Sequence, residues 1–398
     1  MTVEYRSPRN QAELEDTFQC SEAAFGGSLS FFTRIVTHDP WFCMDNARAC
    51  FVDGKAVSVV QIFDRPIRVG TCIIRMGGLG SVGTHPDHRR KGYSLNVLKD
   101  SVRYMRSAGY DISVLYTGSQ SHYARAGWVV YPAYSLRLSL PESPIHPPDD
   151  LAIETCDPDR DLPELMAAYD RFNATRSGTL VRSEAYWKKR PQWRDDPPLL
   201  HVTRRNGQLT AYLMANRWRL LEFGCMPGED AALTGLFANL FRQAQAEEVK
   251  EVRAEPCPLA FGHTFETLGC AVHRQEGCSQ MVRIINLESL LNKLIPLLAS
   301  RLCASALSRW KGSLRLRHEA DERTLQMGDG EIAIVQSVPS PDIDLPLSQE
   351  QLLKLLFGNM RPEHIAFANS LPFDDGDIAL LDTLFPGEEL FSWRTDGF

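Results

Sequence analysis

Three features that would each define a class of protein are missing from this sequence. No apolar run approaches the roughly 20 residues that a membrane-spanning helix needs, and the polar opening MTVEYRSPRN has no signal-peptide character. Basic residues cluster only at residues 88–91, and the formal net charge is −7. This balance offers no electrostatic surface for nucleic acid or for an anionic membrane. We therefore expect a cytoplasmic protein that binds neither, and whose mild acidity favours a cationic substrate.

Cysteine pairs are missing as well. The ten cysteines are scattered from Cys20 to Cys303 without a CxxC motif, and a chain of 398 residues does not need a disulfide framework. Cys270 and Cys278 lie near His263 and His273, but the spacings fit no usual zinc pattern. We expect reduced, mostly buried thiols and no metal site.

Prolines mark the clearest break in the chain. The segment LPESPIHPPDD at residues 140–150 contains four prolines, which favour an extended linker over a helix. The elements on either side follow a similar order, and each half carries a predicted hairpin turn, one at residues 53–54 and one at residues 206–207. We expect an α/β (α+β) fold with two related domains, over residues 1–140 and 150–285.

The last part of the chain predicts a third domain. Apolar residues recur at helical spacing from Leu287, and strand-like runs follow, one of them entered through the turn Asp329-Gly330. Residues 286–398 are enough to form a small α+β domain with its own core.

A run of strand, basic turn and helix forms the candidate binding site. Residues 73–85 are strand-like but contain four glycines, and glycine within a strand marks a bulge or the close approach of another backbone. Arg89, Arg90, Lys91 and Gly92 then open a helix with a periodic apolar face. Such a helix start favours an anion such as pyrophosphate, because its unpaired N–H groups and its dipole point at the ligand. A basic surface turn without function is the alternative.

The turn Arg89-x-x-Gly92-x-Ser94 resembles the acetyl-CoA signature of the GNAT acetyltransferases, Q/R-x-x-G-x-G/A. Serine departs from the last position of that pattern but is still a small residue. The resemblance implies that acetyl-CoA is the co-substrate. It also implies that the strand end and the turn bind it through Val82, Gly83, Thr84, Arg89, Arg90, Lys91, Gly92, Tyr93 and Ser94.

The phrases that follow extend this resemblance. The strand DISVLYTG and the run SHYARAGW at residues 121–128 are similar to the next element of the family, where a tyrosine near a short helix faces the cofactor sulfur. By that resemblance Tyr123 protonates the leaving thiolate. Packing of the ring beside Trp128 is the structural alternative.

Three phrases, THPDHRRKGYS, RSGTLVRSEAYW and MVRIINLESLL, resemble the Eis-type acetyltransferases. Those proteins join two GNAT domains, with mixed and mostly antiparallel sheets, to a domain like the sterol carrier proteins. The resemblance implies a catalytic first domain, a degenerate second domain, a sterol-carrier-like third domain and a homohexamer. Between Phe223 and Ala244 there is no basic, glycine-led turn, which agrees with degeneracy. Arg182 and Trp187 either line the first domain's pocket or fill an interface, and we favour the interface.

The same resemblance implies a catalytic role for the last residues of the chain. Eis-type enzymes place the C-terminal carboxylate in the active site as general base, so we expect Phe398 to supply it and the third domain's end to reach that site. A free α-carboxyl has a pKa of about 3.5 and is a weak base unless an apolar site raises that value or water relays the proton. Ser81 and Asp396 are candidate substrate-binding residues.

These residues together predict an N-acetyltransferase that transfers acetyl directly, in a ternary complex, to a primary amine of a cationic small molecule. An aminoglycoside-like or polyamine-like acceptor is what the resemblance suggests. One alternative keeps the chemistry but takes a protein lysine as acceptor. The other, from a different class, is a non-catalytic protein that senses acyl-CoA, binds lipid or supports assembly.

Overall fold

The computed structural model describes residues 1–148, 151–157, 160–189, 198–318, 321–335 and 338–398. The fold is α/β with mixed and mostly antiparallel sheets, which confirms the predicted fold class. The end of the predicted linker, residues 149 and 150, lies outside the described ranges.

The chain forms two compact units. The first unit contains residues 1–131, 278–390 and 398, and the second contains residues 132–277 and 391–397. The division into three domains at residues 140, 150 and 285 stays a prediction. The compact units divide the chain elsewhere because strands on both sides of those positions pair with distant strands.

A seven-stranded sheet organises the first unit, in the order β1-β2-β3-β4-β5-β14-β6. Its strands are β1 (Val3–Arg6), β2 (Ala47–Val52), β3 (Lys55–Val69), β4 (Cys72–Thr84), β5 (Ile112–Tyr116), β6 (Val129–Val130) and β14 (Gln280–Ile284). Its helices are α1 (Gln11–Phe25), α2 (Leu29–Thr37), α3 (Tyr93–Ser107) and α4 (Gln120–Ala124). β14 runs antiparallel between β5 and β6, so residues far along the chain complete this sheet.

Local sequence explains several of these boundaries. The Asn10 side chain accepts a hydrogen bond from the Glu13 N–H and caps α1, and Gly26 ends that helix with φ at 68°. Asp53 and Gly54 both have positive φ, as a two-residue hairpin turn requires. The periodic apolar residues of α3 pack in one core cluster with residues of β3 and β4, as periodicity predicts.

The second unit contains another seven-stranded sheet, in the order β13-β7-β12-β11-β10-β9-β8. Its strands are β7 (Ala133–Ser139), β8 (Ile153–Thr155), β9 (Leu199–Arg205), β10 (Gln208–Asn216), β11 (Arg219–Cys225), β12 (Glu251–Ala254) and β13 (Ala271–Gly277). Its helices are α5 (Leu162–Asn173), α6 (Glu184–Lys189), α7 (Asp230–Ala246) and α8 (Gly262–Thr267). The Asn206-Gly207 turn has positive φ at both residues, and it joins β9 to β10 as predicted.

The C-terminal part of the first unit has a four-stranded sheet in the order β17-β16-β15-β18. These strands are β15 (Gly312–His318), β16 (Asp321–Gly328), β17 (Glu331–Val335) and β18 (Ile343–Pro346). The helices are α9 (Leu287–Cys303), α10 (Gln349–Leu356), α11 (Pro362–Asn369) and α12 (Asp375–Leu384). Asn286 caps α9, and Pro296 lies inside that helix.

All ten cysteines are free thiols, and seven of them are buried. Burial raises the pKa of Cys20, Cys225 and Cys270 to about 11, so these thiols are protonated and unreactive at neutral pH. Within the described ranges no group of three or more histidine, cysteine or acidic residues could hold a metal. The same part of the chain contains no helix long and apolar enough to cross a membrane.

Candidate active site

The site is built around an opening beside β4. β4 pairs with β5 only from Met76 to Leu79, whereas its pairing with β3 continues to Thr84. The register between β3 and β4 shifts near Ser81, where φ is 49°, so the strand bulges. Among the described strands none pairs with the β5-facing edge of β4 beyond Leu79. That edge offers backbone N–H and C=O groups to an extended ligand.

The basic turn leads from this strand end into α3. Gly92 caps the helix with φ at 82°, and a Cβ added there would meet no atom within 4 Å. The guanidinium of Arg89 donates to the carbonyl of Ala24 at 3.0 Å, and Lys91 Nζ donates to the carbonyl of Asp87 at 3.1 Å. Arg90 is exposed, with φ at 60°. The open space, the helix start and the three cations together fit a pyrophosphate.

A hydrogen bond connects this turn to the short helix α4. Ser94 Oγ lies 2.9 Å from His122 Nε2. Burial, together with Arg125, lowers the pKa of His122, so its ring is neutral at pH 7 and can either donate to or accept from the serine. No sequence pattern had pointed to a role for His122. Its contact fixes the position of Tyr123, the next residue, relative to the start of α3.

Tyr123 packs half-buried against the core cluster that contains Leu79, Val82 and the apolar side of α3. Burial raises the pKa of its hydroxyl, and a hydrogen bond with Thr117 lowers it in part. A phenol with a raised pKa keeps its proton at neutral pH, so Tyr123 can donate a proton but cannot accept one.

Phe398 lies against two glycines of β4. A Cβ on Gly78 would be 2.5 Å from the Phe398 ring, and a Cβ on Gly80 would be 3.5 Å from the Phe398 carboxyl carbon. The ring also packs on Phe63 and Tyr116, with centroids 5.7 and 5.8 Å apart. Gly78 is therefore needed for the close approach of the Phe398 ring, whereas a Cβ on Gly80 would clash with the Phe63 ring at 2.7 Å and not with Phe398.

Tyr123 and Phe398 approach the sheet from opposite faces. A Cβ on Gly77 would meet Met105 of α3, whereas a Cβ on Gly78 would meet Phe398. Successive residues of a strand point to opposite faces, so Phe398 lies on the face opposite α3. Tyr123 and Phe398 thus lie on opposite sides of the sheet near the open edge of β4.

The Asp396 side chain belongs to a buried ion-pair network of the second unit. Its side chain is 3% exposed and forms an ion pair with Arg182 at 2.7 Å within the second unit. Tyr186 donates to the same carboxylate at 3.1 Å, and Arg182 also pairs with Glu222 at 2.6 Å. The Asp396 carboxylate, which we had expected to bind the substrate amine, is therefore already bound by Arg182 and Tyr186 inside the second unit.

The Arg182 network is a buried structural feature. Burial alone would lower the pKa of Arg182, but Asp396 and Glu222 outweigh this effect and raise it well above its ordinary value. Arg182 is thus charged, and its ring neighbours Tyr169 and Trp187 lie 3.8 and 4.6 Å from its guanidinium carbon. The residue packs inside the second unit, among aromatic and acidic side chains.

The family comparison agrees with the geometry of the first unit. Residues 4–131 match the model of the acetyltransferase (GNAT) domain. Proteins of this family use acetyl-CoA. No curated protein matches the chain at a significant level.

Solved structures share the fold along the whole chain. A GCN5-related N-acetyltransferase from Anabaena variabilis ATCC 29413 is 16% identical, with a TM-score of 0.75. A probable N-acyltransferase from Enterococcus faecalis V583 is 14% identical with a TM-score of 0.79, and Eis1 from Mycobacterium abscessus is 16% identical with a TM-score of 0.67. Each likeness covers 100% of both chains. Identities this low establish a common fold and nothing finer.

Proposed function

We propose that the chain, an N-acetyltransferase by its GNAT domain, transfers acetyl from acetyl-CoA directly to a primary amine of a cationic small molecule. The observation that carries the proposal is the combination of an open β4 edge with a glycine-led cationic turn at one end. Aminoglycosides and polyamines are the acceptors that the Eis-type resemblance suggests.

The proposed binding roles follow the strand and the turn. Backbone groups of Val82, Gly83 and Thr84 bind the pantetheine arm and the acetyl carbonyl. Arg90, Lys91 and the N–H groups at the start of α3 hold the pyrophosphate, with Arg89, Gly92, Tyr93 and Ser94 shaping the turn. Ser81, at the bulge, lies where the amine meets the acetyl group.

The proposed chemistry needs one proton acceptor and one proton donor. The carboxylate of Phe398 accepts a proton from the ammonium or orients it for proton loss to water, and the free amine then attacks the acetyl carbon. As the new C–N bond forms and the C–S bond breaks, the Tyr123 hydroxyl donates a proton to the sulfur. The opposite-face positions of the two groups support this assignment.

The finer organisation is proposed on the resemblance alone. We expect the second GNAT-like domain to bind no cofactor, residues 286–398 to resemble sterol carrier proteins, and the protein to form hexamers in the cytoplasm. Sedimentation or light scattering of the purified protein tests the hexamer, since a monomeric mass contradicts it.

CoA release, followed with a thiol reagent, tests the reaction. The panel contains aminoglycosides, polyamines and lysine peptides, and the protein carries no C-terminal tag. Turnover with a small amine supports the proposal, and turnover with peptides alone favours the protein-lysine alternative. Binding of acetyl-CoA without turnover of any amine in the panel contradicts these acceptor classes and leaves an acceptor outside the panel or an acyl-CoA sensor.

Removing Phe398, or extending the chain beyond it, tests the carboxylate. Loss of a general base costs about 100-fold or more in kcat, while the dissociation constant of acetyl-CoA, measured by calorimetry, should change little. Full activity of either variant removes the carboxylate from the mechanism.

A further inference from the structure

The ring and the carboxylate of Phe398 are held in different ways. The ring packs on Phe63 and Tyr116 and lies against Gly78. In the part of the chain that the structure describes, no residue forms a hydrogen bond or an ion pair with the terminal carboxylate. Gly397, the residue before it, has no side chain that could fix the tail. The position of the carboxylate therefore depends on the contacts of the Phe398 ring.

The contacts of the ring follow from the strand register. Phe63 of β3 pairs with Gly78 of β4, and Gly78 pairs with Val114 of β5. Tyr116 comes two residues after Val114, and residues two apart in a strand point to the same face. Phe63, Gly78 and Tyr116 thus share the face of the sheet on which Phe398 lies. The Phe398 ring lies over the glycine, with one aromatic neighbour on β3 and the other on β5.

The two aromatic neighbours differ in how firmly they are held. Phe63 is 4% exposed, and the guanidinium carbon of Arg65 lies 5.3 Å from its ring centroid. Arg65 is itself buried and paired with Asp39 at 2.8 Å. Tyr116, in contrast, is 44% exposed. Phe63 is therefore a fixed support for the Phe398 ring, whereas Tyr116 is its neighbour on the solvent side.

Tyr116 also lies at the opening beside β4. The last residue pair between β4 and β5 joins Leu79 to Leu115, so Tyr116 is the first residue of β5 beyond that pairing. The next residue of β4 on the same face is Gly80, and a Cβ built there would lie 3.5 Å from the Phe398 carboxyl carbon. The carboxylate therefore lies over the unpaired part of β4, on the side of the sheet that carries Tyr116.

We propose that Tyr116 is a positioning residue for the reaction. Its ring holds the Phe398 ring against Phe63, and in this way it keeps the terminal carboxylate beside the open edge of β4. The inference rests on the proposed function, in which this carboxylate accepts a proton from the ammonium or orients it. Only the Tyr116 ring is required, and its hydroxyl takes no part. Misplacing a reacting group by about 1 Å can cost roughly 100-fold in rate, so a loose Phe398 ring should slow the reaction.

Removing either ring tests the kinetic role. Tyr116→Ala should lower kcat by about tenfold or more without changing the dissociation constant of acetyl-CoA. Phe398→Ala leaves a chain that still ends in a carboxylate but has no ring, so a loss of similar size is expected. Tyr116→Phe keeps the ring contact and should retain the kcat of the unchanged protein. Phe367→Ala is the matched control, since Phe367 is 89% exposed on α11 and should change neither quantity.

A double-mutant cycle shows whether Tyr116 acts through Phe398. In a chain that lacks Phe398, Tyr116→Ala should cause no further loss of kcat, because the ring that Tyr116 holds is already gone. A second loss of the same size in this shortened chain overturns the inference, since Tyr116 would then act on acetyl-CoA or on the amine by itself. A weaker affinity of Tyr116→Ala for acetyl-CoA overturns it for the same reason.

Digestion with carboxypeptidase A measures the ring contact without any turnover of substrate. The peptidase needs a free chain end, so the rate at which it releases Phe398 reports how often the ring leaves its place. Tyr116→Ala should release this phenylalanine several-fold faster, as measured by mass spectrometry, while Tyr116→Phe and Phe367→Ala should behave like the unchanged protein. Urea denaturation checks that Tyr116→Ala is still folded. Equal rates of release from the unchanged protein and from a folded Tyr116→Ala variant overturn the inference.

Different outcomes overturn the role of Tyr116 and the proposed function. Full kcat in Tyr116→Ala, together with a large loss on removing Phe398, overturns the role of Tyr116 and leaves the carboxylate in the mechanism. Full activity without Phe398 overturns the carboxylate, and the role of Tyr116 with it. If no amine of the panel is turned over, the proposed acceptor classes are wrong, and the kinetic role of Tyr116 is overturned even where digestion shows the ring contact.

Discussion

Each of the two units contains a strand that leads through a turn into a helix, but the charges at the start of that helix are opposite in the two units. In the first unit the turn after β4 carries Arg89, Arg90 and Lys91, and α3 begins at a glycine. In the second unit the helix after β11 begins with Glu229 as its cap and Asp230 in its first turn. Acids stabilise a helix start but repel an anionic ligand from it. The same backbone therefore favours a pyrophosphate in one unit and disfavours it in the other.

The units also differ in what lies next to the equivalent strand. The open edge of β4 is bordered by glycines, whereas a Cβ on Gly224 of β11 would lie 2.7 Å from Tyr212 and 3.1 Å from Phe172. Trp393 packs on Phe223 with centroids 5.0 Å apart. Aromatic side chains thus pack closely around this part of β11. The comparison teaches that a strand followed by a helix favours an anion only where the charges at the helix start allow it.

The largest expected effect is a loss of stability when the buried cation of the second unit, Arg182, is replaced. Arg182→Met leaves Glu222 and Asp396 buried without a partner, which should lower the free energy of unfolding by about 3–5 kcal/mol. Urea denaturation measures this loss. Arg219→Met is the control, because the exposed pair with Glu255 should contribute less than about 1 kcal/mol. Equal losses in the two variants would contradict a structural role specific to Arg182.

The cationic turn of the first unit comes next. The double change Arg90→Glu and Lys91→Glu should weaken acetyl-CoA binding by about 100-fold, because two charge-assisted contacts become repulsive. Calorimetry measures the dissociation constant. The mirror change in the second unit, Glu229→Lys with Asp230→Lys, should leave that constant within about twofold. A weakening in the mirror variant would show that the second unit also binds the cofactor.

The next prediction compares two tyrosines, Tyr123 of the first unit and Tyr212 of the second. Tyr123→Phe should lower kcat by about 10- to 100-fold without changing the KM for acetyl-CoA. Since burial raises the pKa of Tyr123 above its ordinary value of 10.0, the acid stays protonated and kcat should not fall until the pH exceeds that value. Tyr212, whose hydroxyl donates to Glu222 at 3.2 Å, is the control, and Tyr212→Phe should change stability but not kcat.

The smallest effects are at two glycines with the same backbone conformation. Gly92 and Gly207 have φ at 82° and 80°, and neither has an atom within 4 Å of an added Cβ. Alanine at either position should cost about 1–2 kcal/mol of stability through strain. Only Gly92→Ala should also weaken acetyl-CoA binding, by a few-fold in calorimetry. Equal binding by both variants would mean that the turn tolerates a side chain at its ligand-facing position.

Local features of the fold could be predicted from the sequence. The Asn206-Gly207 hairpin, the helix from Tyr93 and the basic turn before it depend on neighbouring residues, so their patterns are visible in short windows. The opening beside β4 was suggested only indirectly, by glycines within a strand. The pairing partner of a strand is not encoded in its own periodicity, so β14 gave no sign of joining the first unit's sheet.

The charged network was beyond sequence reasoning for a similar reason. Arg182 lies 40 residues from Glu222 and 214 residues from Asp396, and no local pattern connects them. Asp396 was expected near the substrate amine because the chain's last residue was expected there. The structure brings Phe398 to β4 but pairs Asp396 with Arg182, since residues two positions apart, the first of them at the end of a 3-10 turn, need not share surroundings.

The position of β14 sets an order for folding during synthesis. Among the described strands, β6 pairs only with β14. When Tyr131 has been synthesised, β5 and β6 therefore still lack their shared neighbour, which begins at Gln280. At about 5–20 residues per second, a ribosome needs roughly 7 to 30 seconds to supply it. During that time the nascent chain exposes an unpaired edge of β5, which other chains could pair with. A gene fragment that stops at residue 131 would leave that edge permanently uncovered.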